Sequence, residues 1–188
     1  RVGKGVKEKR ERKERRRESK KKVFIIMRRR PARCTILPDT MRFRGECWGE
    51  GTATFMILGN VCTRSCGFCG VKTGRPESVD WAEPEKVARS IKIMNIKHAV
   101  VTSVDRDDLK DMGSIIWAET VKAIRRMNPE TTLETLIPDF QGIESHLDRI
   151  LEVAPEVISH NMETVRRLTR EVRIQAKYDR SQIGRAHV

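Results

Sequence analysis

The first fifty residues and the rest of the chain follow different hydrophobic patterns. Residues 1–22 are dominated by charged side chains, with only Val2 and Val6 as aliphatic positions. Such a segment buries too little surface to offset its ordering entropy and is expected to be disordered in isolation. The one apolar patch near it is 23–27, VFIIM. From about Gly51 the pattern changes to apolar runs alternating with amphipathic segments. Residues 52–61 (TATFMILGNV) read as a strand, and 83–94 as a helix with Pro84 in its first turn. Residues 97–104 (KHAVVTSV) form a second strand, nearly continuous in apolar residues, as suits burial on both faces. The same periodicities predict a helix over 113–127, a strand over 131–137, a short helix over 146–153, a strand over 157–160 and a helix over 163–172. Four strands, each followed by a helix, predict an α/β fold with a parallel sheet built from right-handed βα units. Polar residues gather just past each strand, at 62–69, 102–108, 138–141 and 160–163. That edge is where parallel α/β folds build their sites.

Charge separates the two regions further. The 188 residues include 39 Lys+Arg and 26 Asp+Glu, a net charge of +13. Residues 1–33 hold 17 of the basic side chains and four Glu, so the whole excess lies there and the remainder is neutral. A basic arm of this kind can bind nucleic acid or anionic lipid. No aromatic is interleaved with its charge, however, which favours a solvated tail or a misread terminus. No apolar run approaches the ~20 residues of a membrane span, and the basic start lacks the apolar core of a secretory signal. Five cysteines in such a chain point to metal or redox chemistry in a reducing compartment rather than to a disulfide framework.

The chemistry concentrates in CTRSCGFC, where Cys62, Cys66 and Cys69 are spaced C-x3-C-x2-C directly after the first long strand. Soft thiolates suit zinc or an iron–sulfur cluster. A structural zinc normally takes four protein ligands in two separated pairs, and no second Cys/His pair stands at such spacing. Three thiolates leave one corner of a cubane cluster without a protein ligand, which is a place for a substrate or cofactor to bind.

This motif, with Phe68 before its last cysteine, resembles the radical S-adenosylmethionine (SAM) enzymes. Five blocks narrow the resemblance: GECWGEGTATFMILGNVCTRSCGFCGVKTGRP at 45–76, VVTSVDRDDLKDMG at 100–113, LIPDFQG at 136–142, SHNMETV at 159–165 and VRIQAKYDRS at 172–181. Together, in this order, they resemble the lipoyl synthase family. The resemblance implies a radical SAM (β/α) barrel in which Cys62, Cys66 and Cys69 ligate a [4Fe–4S] cluster and the fourth iron chelates SAM. It further implies reductive cleavage of SAM to methionine and a 5′-deoxyadenosyl radical. That radical would abstract hydrogen from C6 and C8 of an octanoyl group on a lipoyl carrier domain, with sulfur inserted from a second, auxiliary cluster. An electron donor is a further implied partner, and no membrane partner is. The implied location is the cytoplasm, or the mitochondrion or plastid of a eukaryote. Thr102, Ser103, Asp105, Asn161 and Glu163, all past strand ends, are the candidates for holding SAM. Helix capping and loop hydrogen bonds are their alternative role, and the acidic residues of 105–108 could simply favour the dipole of the following helix. His160 reads as a core histidine, and Arg173 as a candidate partner of the SAM carboxylate.

The chain also departs from the family. Lipoyl synthases carry an earlier C-x4-C-x5-C trio for the auxiliary cluster, and its last member matches Cys47. The other two positions are Ile36 and Met41, while Cys34 stands too far upstream. Resemblance begins near Gly45, so the basic arm and the loss of the trio coincide. A reading-frame error or a divergent protein without sulfur insertion would each produce this. The C-terminal IGRAHV reads as run-on sequence. The expected organisation is therefore a basic arm (1–33), a degenerate auxiliary-cluster segment (34–50), a partial barrel with four of six βα units (51–182) and a non-native tail (183–188). The rival readings are a radical SAM enzyme with another substrate, and a basic-arm nucleic-acid-binding protein with a structural metal site.

Overall fold

The computed structural model describes residues 51–182, together with the backbone pairing of two short strands, Phe24–Ile26 (β1) and Thr35–Ile36 (β2). The remaining elements, in order, are β3 (Thr52–Ile57), β4 (Val61–Cys62), β5 (Lys72–Thr73), α1 (Glu83–Ile93), β6 (His98–Ser103), α2 (Ser114–Met127), β7 (Thr132–Leu136), α3 (Glu144–Glu152), β8 (Val157–Ser159), α4 (Thr169–Val172) and α5 (Tyr178–Ser181). Short 3-10 turns stand at Phe140–Gly142 and Arg166–Leu168.

All pairings are parallel, and the main sheet has the order β1-β8-β7-β6-β3-β2. The four strands expected from the sequence, β3, β6, β7 and β8, lie side by side in chain order. Each crossover therefore advances one place in the same direction, the winding of a βα barrel rather than of a doubly wound sheet. The two flanking strands come from the segment expected to be a disordered arm and a degenerate cluster segment. The rest of 1–50, and 183–188, lies outside the described residues.

One face of the sheet is built to receive helices. Ala53, Phe55 and Ile57 of β3 align with Ala99, Val101 and Ser103 of β6, and Val101 aligns with Thr135 of β7. Of these, Ala53, Phe55, Ile57, Ala99 and Val101 join Val87, Ala88 and Ile91 of α1, Trp117, Val121 and Ile124 of α2, and Leu147, Ile150 and Leu151 of α3 in one core. The helices supply them at i, i+3, i+4 and i+7 spacing, so one stripe of each turns inward. Burying each such aliphatic side chain fully contributes about 1.5–3 kcal/mol. The opposite face is mixed: Thr54, Glu134 and Ser159 are buried there beside Met56 and Val100, and the Ser159 hydroxyl donates to Glu134 Oε1 at 2.7 Å.

The element bounds differ from the sequence expectation at two informative places. The strand expected over 52–61 stops at Ile57, because Leu58 (φ 68°) and Gly59 (φ 92°) are left-handed and cannot continue a pleat. Val61–Cys62 then pairs separately with Lys72–Thr73. Leu58 also explains Gly113, whose φ is 80° and whose added Cβ would lie 2.4 Å from Leu58 Cδ1. The helix expected over 163–172 reduces to a 3-10 turn and the four-residue α4. Within it only Thr169 is buried, so no apolar stripe exists to dock a longer helix. No helix among the described residues is long and apolar enough to cross a membrane.

Candidate functional site

The thiol-bearing loop leaves the sheet at the C-terminal end of β3 and returns through β5, so it sits at the edge where β6, β7 and β8 also end. All three of its cysteines are free, Cys62 buried, Cys66 half-buried and Cys69 exposed. Cys47 lies outside the described residues. Cys62 Sγ accepts hydrogen bonds from the backbone N–H of Arg64 (3.4 Å) and Asp105 (3.3 Å). Burial pushes the Cys62 thiol up, against these two donors. Burial also raises Cys66, against the nearby Arg173 guanidinium, which hydrogen-bonds to it.

Cys62–Arg64 is laced against the segment following β6. Thr63 N–H donates to the Asp105 carbonyl at 3.0 Å, and its hydroxyl donates to the same oxygen at 2.9 Å. Asp107 N–H donates back to Thr63 Oγ1 at 3.1 Å. Arg64 then reaches inward. Its Nε and Nη2 grip Asp107 at 2.7 Å each, Nη2 also reaches Asp139 Oδ1 at 2.8 Å, and Nη1 lies 3.4 Å from Asp105 Oδ1. Burial disfavours the Arg64 charge, but hydrogen bonds to Asp107 and Asp139 outweigh it and raise its pKa further above the usual range. Burial pushes Asp105 up to about 6, against the pull of Arg64. Asp107 is half-buried, yet its bonds to Arg64, Gln141 and Thr63 hold it below the usual range.

The other strand-end candidates are distributed around this cluster. Thr102 Oγ1 donates to the Leu136 carbonyl at 3.4 Å, tying β6 to β7. Ser103 Oγ is buried without a hydrogen-bond partner. Asn161 accepts at its carbonyl from Arg173 Nη1 at 2.7 Å, while Arg173 Nε is buried and unpartnered. Arg173 therefore bridges Cys66 and the end of β8. Glu163 follows in a left-handed conformation, φ 58°. His160 is a satisfied core histidine: Nδ1–H donates to the Ile137 carbonyl at 2.8 Å, and Nε2 accepts from the Ser181 hydroxyl at 2.9 Å. Burial drives its pKa down, so it stays neutral.

The helix-dipole alternative for the acidic residues of 105–108 does not hold. Asp105 and Asp107 face the thiol loop, and Asp108 pairs with Arg106, which also donates to the carbonyls of Leu58 and Glu77. The start of α2 is served instead by Asp111, whose Oδ2 accepts from Ile115 N–H at 2.9 Å. Sequence reasoning missed Arg64, Asp107, Asp139 and Gln175, the last accepting from Ser65 N–H at 3.1 Å. The signal for Arg64 was present: it is the one charged residue inside the cysteine motif.

No three His, Cys, Asp or Glu side chains among the described residues converge closely enough to hold a single metal ion. A cubane cluster asks for something else, since each thiolate meets a different iron and the ligands need not converge on a point. Three free thiols with backbone N–H donors aimed at one of them and a guanidinium beside another fit that donor set. Unpartnered Arg173 Nε, at the same edge, fits a polar ligand beside it.

Residues 56–185 match the Radical SAM superfamily model. The chain is similar to a lipoyl synthase of Christiangramia forsetii, 90% identical over 137 residues that cover 73% of this chain and 47% of that protein. It is similar to a mitochondrial lipoyl synthase of Nematostella vectensis, 88% identical over 137 residues with the same two shares, 73% and 47%. A lipoyl synthase of Bacteroides fragilis is 58% identical over 137 residues, 73% of this chain and 48% of that protein. The chain spans about half the length of the curated relatives it matches.

Proposed function

From the premise that this chain belongs to the radical SAM superfamily, we propose that it is the SAM-cleaving part of a lipoyl synthase. Membership in the superfamily implies a [4Fe–4S] cluster with SAM. Cys62, Cys66 and Cys69 would hold the cluster, leaving one iron for SAM. When bound, the cluster supplies the electron that cleaves the SAM sulfonium reductively. The observation that carries this reading is the open trio of thiols at the C-terminal edge of a singly wound parallel sheet, in a chain 90% identical to a curated lipoyl synthase.

The protein's own groups bind and orient. Arg173, fixed by the Asn161 carbonyl, presents a buried N–H to the site and suits the SAM carboxylate. Thr102, Ser103, Asp105, Asn161 and Glu163 complete the proposed cofactor-binding set. Asp105 also donates its N–H to Cys62 Sγ, so it belongs equally to the thiol side. The exposed Cys69 and Phe68 mark the side open to solvent.

The substrate of the whole protein would be an octanoyl group on a lipoyl carrier domain, with an external electron donor. The auxiliary cluster does not fit this sequence. Cys47 stands without its two partners, the positions being Ile36 and Met41. No step is therefore assigned to it, and lipoyl formation is not expected of this chain. The organisation into a basic arm, a degenerate segment, a partial barrel and a tail is kept as part of the proposal.

The test is anaerobic loading with iron and sulfide, followed by reduction in the presence of SAM. A brown protein that releases 5′-deoxyadenosine and methionine, with loss of both on Cys66→Ala, is the expected result. A colourless zinc protein, or unchanged turnover in the variant, would overturn the reading.

A further inference from the structure

Arg64 stands between Cys62 and Cys66, yet its side chain points away from solvent, with only 2% of it exposed. Three loops meet on it. Asp105 and Asp107 come from the loop after β6, and Asp139 from the loop after β7. Gln141 completes the lattice: its side chain donates to Asp107 Oδ1 at 3.0 Å, and its backbone N–H to Asp139 Oδ1 at 3.0 Å. Phe140, Gln141 and Gly142 all have positive φ (42°, 50° and 77°), a conformation that costs roughly 1–2 kcal/mol for each residue bearing a Cβ. That strained turn is what presents Asp139 and Gln141 together. One Asp139 oxygen meets Arg64 while the other is buried with no partner. Such an arrangement persists only where the surroundings over-determine it.

We propose that Arg64 is a positioning residue for the iron–sulfur cluster, locking the cysteine loop to the ends of β6 and β7 so that Cys62 and Cys66 are held ready to ligate. The inference rests on the function proposed above and extends it to a residue outside the thiol trio and outside the proposed cofactor-binding set. Its physical basis is the planar fork of arginine, which uses Nε, Nη1 and Nη2 towards three different carboxylates. A lysine ammonium is a point charge and cannot reproduce those directions. The consequence reaches Cys62 through the backbone. Arg64 N–H and Asp105 N–H both donate to Cys62 Sγ, and holding Arg64 against Asp105 and Asp107 keeps those two donors in place. Hydrogen bonds to ligand sulfur raise the potential of a bound cluster, as does a nearby positive charge.

The experiment compares the full chain with Arg64→Gln, Arg64→Lys and Asp107→Asn, each loaded anaerobically with iron and sulfide. Three readouts are taken: iron release to a chelator, the reduced-cluster electron paramagnetic resonance spectrum with and without SAM, and the midpoint potential. Thermal melting of the metal-free chains runs in parallel. Groups that orient metal ligands without touching the metal are typically worth about 10–100-fold in metal retention. Arg64→Gln and Arg64→Lys are both expected to release iron at least about tenfold faster. Arg64→Gln should also lower the potential and alter the spectral shift caused by SAM. Asp107→Asn, which removes one acceptor of the fork, should show the same changes to a smaller extent, and it carries the test if Arg64→Gln does not fold. Full rescue by lysine would overturn the proposal, since charge alone would then suffice. So would a lower melting temperature with unchanged potential and spectrum, because Arg64 would then be a folding residue only. Failure of the unaltered chain to load a cluster would sink the proposed function itself, a result separable from normal loading in all variants, which overturns only this inference.

Discussion

Glu83, the first residue of α1, folds its carboxylate back over the left-handed turn that ends β3. Its Oε2 accepts from Leu58 N–H at 2.7 Å, and Gly59 N–H is a second donor. The turn is what sends the chain into the thiol loop, so one side chain distant from the cysteines fixes how that loop begins. Burial pushes the Glu83 carboxyl above the usual glutamate range, outweighing the donors that favour its charge. The native chain therefore holds this proton more tightly than the unfolded chain does. That contribution is fully present below the unfolded carboxyl's titration and declines as pH rises through the Glu83 range. Glu83→Gln keeps an acceptor oxygen and removes the titration, so it should flatten this part of the decline in urea-melt stability; an unchanged decline would assign it elsewhere. Glu83→Ala leaves the two N–H groups without their acceptor and should destabilise by about 1–3 kcal/mol. The cysteine trio was legible from spacing alone. Glu83 was not, because a buried carboxylate at a helix start reads as an ordinary first-turn charge.

The helices behave as their periodicity says, with one exception. α1, α2 and α3 each place an apolar stripe on the sheet, and their bounds fall close to those expected from the sequence. Trp117 sits at the centre of this layer, fully buried. Trp117→Ala should therefore cost about 3–5 kcal/mol, read as a lower denaturation midpoint with an unchanged slope. A loss below about 1 kcal/mol would show that neighbouring helices collapse into the space. The exception is the segment after β8. Its charged residues suit a helix by propensity, but half-exposed Val165 and left-handed Glu163 leave it nothing to pack with. It becomes instead the short connection that brings Arg173 back towards Cys66. Propensity predicts helices only where a partner surface exists, and here the surface was given to the site.

At the scale of the molecule the sheet has two ends, and chain from the N-terminal fifty residues lies on both. β1 pairs along all of β8, and β2 pairs with Thr54 and Phe55 of β3, so the outer edges of the four predicted strands are covered, in full at β8 and in part at β3. A bare parallel edge presents a row of unpaired N–H and C=O groups and recruits other chains. Deleting residues 1–40 should therefore make the protein self-associate, seen as a concentration-dependent rise in size by sedimentation. A deletion variant that stays monomeric across the same range would show that the edges need no cover.

The order of strands and helices, the C-x3-C-x2-C spacing and the neutral balance of the barrel were all readable along the chain. Hydrophobic period and residue spacing are local quantities, and they survive without knowledge of the fold. The role of charge was not readable in this way. Arg64, Asp105, Asp107 and Asp139 look like four ordinary polar residues on three separate loops. Only the parallel sheet, by ending those loops at one edge, brings them within hydrogen-bond reach and out of water. A buried ion pair depends on distance and desolvation, and both are properties of the tertiary structure.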